Sequence, residues 1–335
     1  MVRVPSNKNA YKNLRKRLGA YQARVEDILS DLSTRASRAA VSAGYEGASP
    51  FLFSEYPELK ATIEDMMQSY ATRMESLVYS GISAEWEQSN TFQDALADKV
   101  LKAYHFTEKG ERRTRYYQTN NDALRAFRER TVRGMNLSRR IWSQAEGVQA
   151  ELEAALSAGI EKGMSAVALS KRVSQYLQDF PSLQRDYGER YGRAADIHDC
   201  EYRSARLARS EINMAYRNAE QERWKQMDFI VGYEVKTSGS HPDDDVCDRL
   251  AGRYPKDFVF EGWHPNCLCY TVPLIKTEEE FWSGSEGSQS VTAVPECFTD
   301  YVAENAGRIM GQQARGTEPY FIRDNPVEVS AILGR

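Results

Sequence analysis

The sequence has little histidine, few cysteines and no long apolar run. Its 335 residues include four histidines and five cysteines. We find no run of about 18 consecutive apolar residues, so we expect no transmembrane helix and no membrane partner. The basic N-terminal stretch lacks the apolar segment that a secretory signal needs. These absences predict a protein that is made in a reducing cytoplasm.

The chain also lacks a strong net charge. Its 44 basic and 48 acidic residues give −4, which creates no global attraction to nucleic acid or to a membrane surface. Local basic stretches do occur, and arginine and lysine bind phosphate without sequence preference. The candidates for contact with DNA are Arg15, Lys16, Arg17, Arg125, Arg128 and Arg133. A solvated helix face balanced by acids is the favoured alternative for these stretches.

The spacing of apolar residues predicts a helix-rich N-terminal region. Helical periodicity covers about residues 58–80 and 84–104, and Ser165 has the position of an N-cap residue. The last long predicted helix covers about residues 196–227. Small apolar residues recur along it at spacings of three and four, at Ala205, Ala208, Ile212, Ala215 and Ala219. Such a seam is typical of a helix side that packs in a core.

After Met227 the pattern changes to that of β-structure. The segment DFIVGYEVKTS alternates and is rich in β-formers, and CLCYTVPLI at 267–275 predicts a second strand. Between them, VCDRLAGRYP predicts a short helix or turn. We therefore expect an α+β protein, with a predominantly helical N-terminal region followed by a small α+β module with short strands.

Three of the five cysteines and two of the four histidines fall between residues 241 and 269. The spacing is His241-x5-Cys247-x16-His264-x2-Cys267-x-Cys269. In a reducing compartment, clustered cysteines indicate metal ligands before disulfides. Zinc takes four nitrogen or sulfur ligands, so one structural zinc ion would leave one of the five candidates outside its shell. Buried reduced cysteines beside a capping histidine are the alternative.

A catalytic metal site is a second interpretation of the same segment. Asp243, Asp244, Asp245 and Asp248 lie near a histidine and could hold a hydrolytic metal. However, three consecutive aspartates cannot all face one point on regular backbone. Nothing marks the orienting acid or oxyanion hole that a Cys/His nucleophile would need. A structural metal site that stabilises the fold is therefore favoured over a metal-dependent hydrolase or nuclease.

The order of motifs in the second half of the chain is distinctive. A helix reading ARLARSEINMAYRNAEQERW precedes a strand, an acidic turn with Cys247, LAGRYP and HPNCLCYTVP. This order resembles the Mu F-like phage head morphogenesis (minor head protein) family over about residues 134–275. Besides the cysteines and His264, the matching residues are Arg209, Glu211, Asp245, Leu250, Gly252 and Pro265. Many family members carry a further cysteine where this chain has Leu250, so histidines would have to complete a metal shell.

The resemblance implies a structural role rather than an enzymatic one. It implies a minor capsid protein of a tailed phage or prophage that acts with the portal in head assembly, DNA packaging or ejection. The implied partners are the portal protein, the capsid and packaged DNA, and the implied location is the portal vertex of the virion. We predict a portal- or capsid-interacting helical region at 1–195, a Mu F-like module at 196–276 and a C-terminal tail with short elements at 277–335. A DNA-binding accessory protein of the capsid is a further alternative.

Overall fold

The computed structural model describes residues 4–238 and 245–335. Within these ranges the chain forms fourteen α-helices, two short 3-10 helices and three β-strands. This confirms the prediction of a helix-rich α+β fold. His241, Asp243 and Asp244 lie outside the described residues.

The helices, labelled in chain order, dominate the described chain. Their bounds are α1 Asn7–Ser42, α2 Lys60–Ala103, α3 Glu111–Arg115, α4 Asn121–Glu129, α5 Leu137–Gly159, α6 Ala166–Gln178, α7 Phe180–Tyr191, α8 Cys200–Gln226, α9 Val246–Arg249, α10 Glu278–Ser283, α11 Glu296–Glu304, α12 Ala306–Ala314, α13 Tyr320–Arg323 and α14 Pro326–Ile332. The 3-10 helices are Phe53–Glu55 and Pro57–Leu59, and the strands are β1 Ile230–Lys236, β2 Gly252–Tyr254 and β3 Tyr270–Ile275.

Several helices follow the predictions, and one differs. The side chain of Ser165 accepts a hydrogen bond from the Ala168 amide, which confirms it as the N-cap of α6. The alanine-rich seam of α8 is buried along its whole length, as predicted. The two helices predicted around residues 58–104 are instead the single helix α2, which continues through Gly81. One glycine costs a helix only about 1 kcal/mol, which the burial of a long apolar face outweighs.

The chain divides into two compact units. Unit 1 comprises Met1–Leu18, Gly81–Arg133 and Ser210–Arg335, and unit 2 comprises Gly19–Ser80 and Gly134–Arg209. In unit 2, α5 packs against α6 and α7, and α6 and α7 pack against each other. Each unit draws on separated stretches of the chain. The sequential boundaries predicted after residues 195 and 276 stay predictions.

Unit 1 contains a small antiparallel sheet with the strand order β2-β1-β3. Tyr233 pairs with Tyr254 on one side and with Pro273 on the other. Strand β2 was not predicted, because three residues are too few to show an alternating pattern. Strand β3 begins at Tyr270, so Cys267 and Cys269 precede it rather than forming part of it.

The core of unit 1 joins the sheet to helices that are distant in sequence. It contains aromatic residues of α8, the strands, the β2–β3 connection and the C-terminal helices, among them Trp224, Tyr233, Tyr254, Trp263, Phe298 and Phe321. The segment predicted as a C-terminal tail with short elements forms α10–α14. Residues of α11, α13 and α14 lie in this same core, so the segment is a packed part of unit 1.

Candidate metal centre

Two short connections of unit 1 carry the candidate ligands. The first is α9, which begins directly after Asp245. The Asp245 side chain accepts from the Val246 amide at 2.6 Å and so caps this four-residue helix. Cys247 follows in its first turn and is fully buried. The second connection is the ligand loop, residues 255–269, which joins β2 to β3.

A tight turn in the ligand loop brings His264 and Cys267 together. The Cys267 amide donates to the His264 carbonyl at 3.1 Å, which closes a four-residue β-turn. Pro265 occupies the second position, where its restricted φ is suitable. Asn266 occupies the third position with φ +62°, a conformation that asparagine tolerates better than most residues. The sequence HPNC therefore specifies this turn, and Pro265 acts through backbone conformation.

Three ligand atoms converge at this point. The Cys247 Sγ lies 3.1 Å from the His264 Nε2 and 3.8 Å from the Cys267 Sγ. All three atoms lie within 4.8 Å of one another. Zinc binds thiolate sulfur at about 2.3 Å in a tetrahedron, which places two ligand sulfurs about 3.8 Å apart. The spacing of the two sulfurs therefore suits a tetrahedral metal ion.

The imidazole of His264 is oriented as a ligand. Its Nδ1 lies 2.7 Å from the Pro265 carbonyl oxygen. Because a carbonyl oxygen only accepts, we assign the proton to Nδ1. The lone pair of Nε2 then points toward the Cys247 thiol and an Asp245 carboxylate oxygen at 3.0 Å. Metal-bound histidines commonly donate their other N–H to a carbonyl oxygen, as His264 does here.

A third thiol, that of Cys269 on the ligand loop, adjoins those of Cys247 and Cys267. Cys247, Cys267 and Cys269 are all buried. Hydrogen bonds to Cys267 and Cys269, together with burial, raise the pKa of Cys247. Burial also acts to raise the pKa of Cys267, but its thiol neighbours and the Arg217 guanidinium bring that pKa well below the ordinary value. The cluster therefore favours a thiolate, the form that binds metal, at its centre.

Polar side chains of α8 hold the ligand loop by its backbone. The Arg217 guanidinium donates to the carbonyls of Glu261 at 2.7 Å, Cys267 at 2.9 Å and Cys269 at 2.7 Å. The Asn213 amide donates to the Cys267 carbonyl at 3.1 Å. The Gln221 side chain both donates to and accepts from the Phe260 backbone. Through these bonds one helix sets the path of the loop on which three candidate ligands lie.

The sequence interpretation missed these holding residues. Asn213, Arg217 and Gln221 follow one another at intervals of four, which places them on one face of α8. Such a polar stripe beside an alanine seam was the available signal. Gly262 was also missed. Its φ is +131°, and a Cβ there would lie 2.6 Å from an Arg217 nitrogen.

The other residues that carry the resemblance make contacts within their own unit. The Glu211 carboxylate lies 2.9 Å from an Arg130 guanidinium nitrogen in unit 1. Arg209 donates to the Gln22 side chain at 3.1 Å in unit 2. Leu250 is buried in the core of unit 1. Gly252 begins β2 with Pro295 against it, where a Cβ would lie 3.4 Å away.

The candidate DNA-contacting residues differ in their surroundings. Arg17 makes a bidentate ion pair with the buried Glu85, with 2.7 Å for both contacts. This pairing favours a structural role for Arg17 over contact with DNA. Arg15 reaches the Leu268 carbonyl at 3.5 Å. The others are exposed on the surface and are Lys16, Arg125, Arg128 and Arg133.

The fold and the site define a helix-rich α+β protein with a group of buried cysteines beside a half-buried histidine. Comparison of the chain with protein-family models, with curated proteins and with solved structures finds no match. Among the described residues, no helix combines the length and apolar character needed to cross a membrane.

Proposed function

We propose that this chain is a minor head protein of a tailed phage or prophage, in which one zinc ion stabilises unit 1. The observation that carries the proposal is that the motif residues Asp245, Cys247, His264 and Cys267 meet in one group, although the chain separates them. Part of the motif by which the sequence resembles head-morphogenesis proteins thus assembles the site.

The burial of the thiols supports a structural role for the metal. A catalytic zinc keeps one position open for water or substrate, whereas a structural zinc is enclosed by four protein ligands. Cys247 and Cys267 are buried, and the buried thiol of Cys269 adjoins them. Only His264 is substantially accessible, with 33% of its side chain exposed. We infer that Cys247, His264, Cys267 and Cys269 would hold the ion, which would link α9 to the ligand loop.

The biological role rests on the resemblance. A unit that is stabilised by a bound metal ion suits a protein that must keep its fold while it binds large partners. We propose the portal protein and the capsid as those partners, with packaged DNA as a further contact through exposed residues such as Arg125 and Arg133. The expected location is the portal vertex of the head, after synthesis in the host cytoplasm.

Elemental analysis tests the metal centre. Protein purified under reducing conditions without chelator should contain one zinc per chain. Zinc at about a thousandfold excess over its Kd would add about 4 kcal/mol to the free energy of unfolding, so chelation should lower the melting temperature. Cys247→Ala should lose the zinc, whereas Cys297→Ala should keep it, because Cys297 lies outside the cluster. Absence of zinc from the native protein would contradict the proposal.

Assembly assays test the biological role. The chain should be expressed with the head genes of its own genetic element, and heads should be isolated by sedimentation. We expect the chain to sediment with heads that contain the portal protein, and to be absent from heads assembled without it. A chain that stays in the soluble fraction, or a nuclease activity that disappears in Asp245→Asn, would contradict the structural role and favour the hydrolase alternative.

A further inference from the structure

Arg217 is a buried cation whose hydrogen bonds go to the metal-ligand segment. It is 1% exposed. Among the described residues, its backbone partners are the carbonyl oxygens of Glu261, Cys267 and Cys269. Its guanidinium also interacts electrostatically with the thiols of Cys267 and Cys269. Carbonyl oxygens satisfy N–H donors but carry no net charge, and a buried charge without a compensating charge is costly.

The charge of a metal centre would supply this compensation. A zinc ion with three thiolates and one neutral imidazole has a net charge of one negative unit, and a single guanidinium neutralises it. A centre with two thiolates and two neutral ligands is already neutral and would leave Arg217 uncompensated. The burial of Arg217 beside the cluster therefore favours the set with three thiolates, in which Cys269 is the fourth ligand.

Two other anions near Arg217 and the cluster are weaker candidates for this compensation. The carboxylate of Glu220 also interacts electrostatically with Arg217. However, burial raises its pKa to about 7 even though Tyr11 donates to it at 2.7 Å and Asn7 at 3.2 Å, so at neutral pH only part of the molecules carry this charge. Asp245 as the fourth ligand would give the same net charge, but it lies at the His264 side of the cluster with 24% of its side chain exposed, where water screens its charge from Arg217.

We propose that Arg217 is the positioning and charge-balancing residue of a three-thiolate, one-imidazole metal centre formed by Cys247, His264, Cys267 and Cys269. This rests on the metal centre proposed above. The guanidinium fork holds the carbonyls of Cys267 and Cys269 and so fixes the direction from which each thiolate approaches the ion. Such a site takes a divalent metal that prefers sulfur, such as zinc, rather than magnesium or calcium.

Substitution of Arg217 tests the proposal, and Arg223 supplies a matched control. Arg223 is an equally buried arginine of α8, but its partners are Asn90, Asp94 and the Tyr116 carbonyl, none of which belongs to the cluster. Arg217→Met should lower zinc affinity by about 10–100-fold, the range seen when groups that support metal ligands are removed. Arg223→Met should destabilise the fold and leave zinc affinity unchanged. Zinc affinity is measured by competition with a chromogenic chelator.

Cobalt absorption gives a readout that a merely structural role would not change. Cobalt replaces zinc, and its near-ultraviolet sulfur-to-metal absorbance grows with the number of bound thiolates. Native protein and Arg223→Met should show the signal of three thiolates. Arg217→Met and Cys269→Ala should fall toward that of two. Arg217→Lys keeps the charge without the fork, so it should retain the three-thiolate signal with a smaller loss of affinity. If Arg217→Met does not fold, the affinity and absorbance of Arg217→Lys are measured in its place.

Specific results would overturn the proposal. Native affinity and absorbance in Arg217→Met would show that the guanidinium neither positions nor balances the centre. Equal loss of affinity in Arg223→Met would reduce the effect to general stability. A full three-thiolate signal in Cys269→Ala would exclude the ligand set. If the native chain binds neither zinc nor cobalt, the metal centre itself fails, whereas native binding with an unchanged Arg217→Met overturns only the role of Arg217.

Discussion

Single residues with unusual backbone conformations shape the ligand loop. Asn266 has φ +62° inside the turn that joins His264 to Cys267. Gly262 has φ +131°, and its missing side chain leaves room for the Arg217 guanidinium on one side and the Cys267 Cβ on the other. These two residues allow α8 to approach the loop closely enough for Arg217 to reach three carbonyls.

Substitution of Gly262 should therefore damage both the fold and the metal centre. Gly262→Ala places a Cβ 2.6 Å from an Arg217 nitrogen and 3.1 Å from the Cys267 Cβ. The strained φ alone costs about 1–3 kcal/mol, and the clash adds to it. Gly284→Ala is the control, because Gly284 also has a positive φ but has no atom near its added Cβ. Urea unfolding should show a clearly larger loss for Gly262→Ala, with reduced zinc affinity. Equal losses would show that the close approach is unimportant.

At the scale of elements, the C-terminal helices complete unit 1. Phe298 of α11, Phe321 of α13 and Val329 of α14 lie in its core. The ring of Phe321 packs edge-on against Trp263 of the ligand loop, with 5.3 Å between the ring centroids. The Asn325 side chain bonds both the amide and the carbonyl of Val259. The C-terminal helices therefore hold the ligand loop in place through side-chain packing and side-chain hydrogen bonds.

Removal of one of these anchors should destabilise unit 1. Phe321→Ala should lower the free energy of unfolding by about 3–5 kcal/mol, because it deletes a buried ring and leaves a cavity. Val327→Ala in the neighbouring helix is the control, since Val327 is 75% exposed and should change stability by less than about 0.5 kcal/mol. Chemical denaturation measures both. A small loss of unfolding free energy in Phe321→Ala would show that this contact of the C-terminal helices contributes little to the stability of unit 1.

Across the whole molecule, several buried carboxyl groups make stability depend on pH. Burial raises the pKa of Glu151 to about 8, of Glu220 to about 7 and of Glu261 to about 7. Each group keeps a proton in the folded chain at pH values where the unfolded chain has released it. Their contribution to stability is therefore complete below the ordinary glutamate pKa of 4.5. It is lost as the pH rises through the raised values.

Glu220→Gln isolates one of these groups. Glutamine has no proton to release, and its amide can donate to the hydroxyls of Tyr11 and Thr271, which now bond the carboxylate. Between about pH 4 and pH 8, the native chain should lose about 3 kcal/mol of stability relative to the variant. The measurement is the difference in unfolding free energy at each pH, with zinc held constant. A difference that does not change with pH would show that Glu220 stays ionised in the folded chain.

The sequence predicted the helical framework because its signals are local. The seam of α8, the N-cap at Ser165 and the strand after Met227 each depend on neighbouring residues. The clustering of Cys247, His264, Cys267 and Cys269 likewise follows from their positions in the chain and predicts metal chemistry. By contrast, strand β2 has three residues and obtains its hydrogen bonds from β1, so its own sequence carries no pattern.

The sequence by itself determined that the protein is helix-rich, that its β-structure follows Met227, and that thiols and imidazoles concentrate in one segment. Only the tertiary structure decided which atoms meet. The turn at Pro265 brings His264 to Cys267, and α9 brings Cys247 to both. Arg217, which resembles any other helical arginine in sequence, is buried against the carbonyls of Cys267 and Cys269. The reason is that helix and strand signals are local, whereas a metal site depends on contacts between segments that the chain separates.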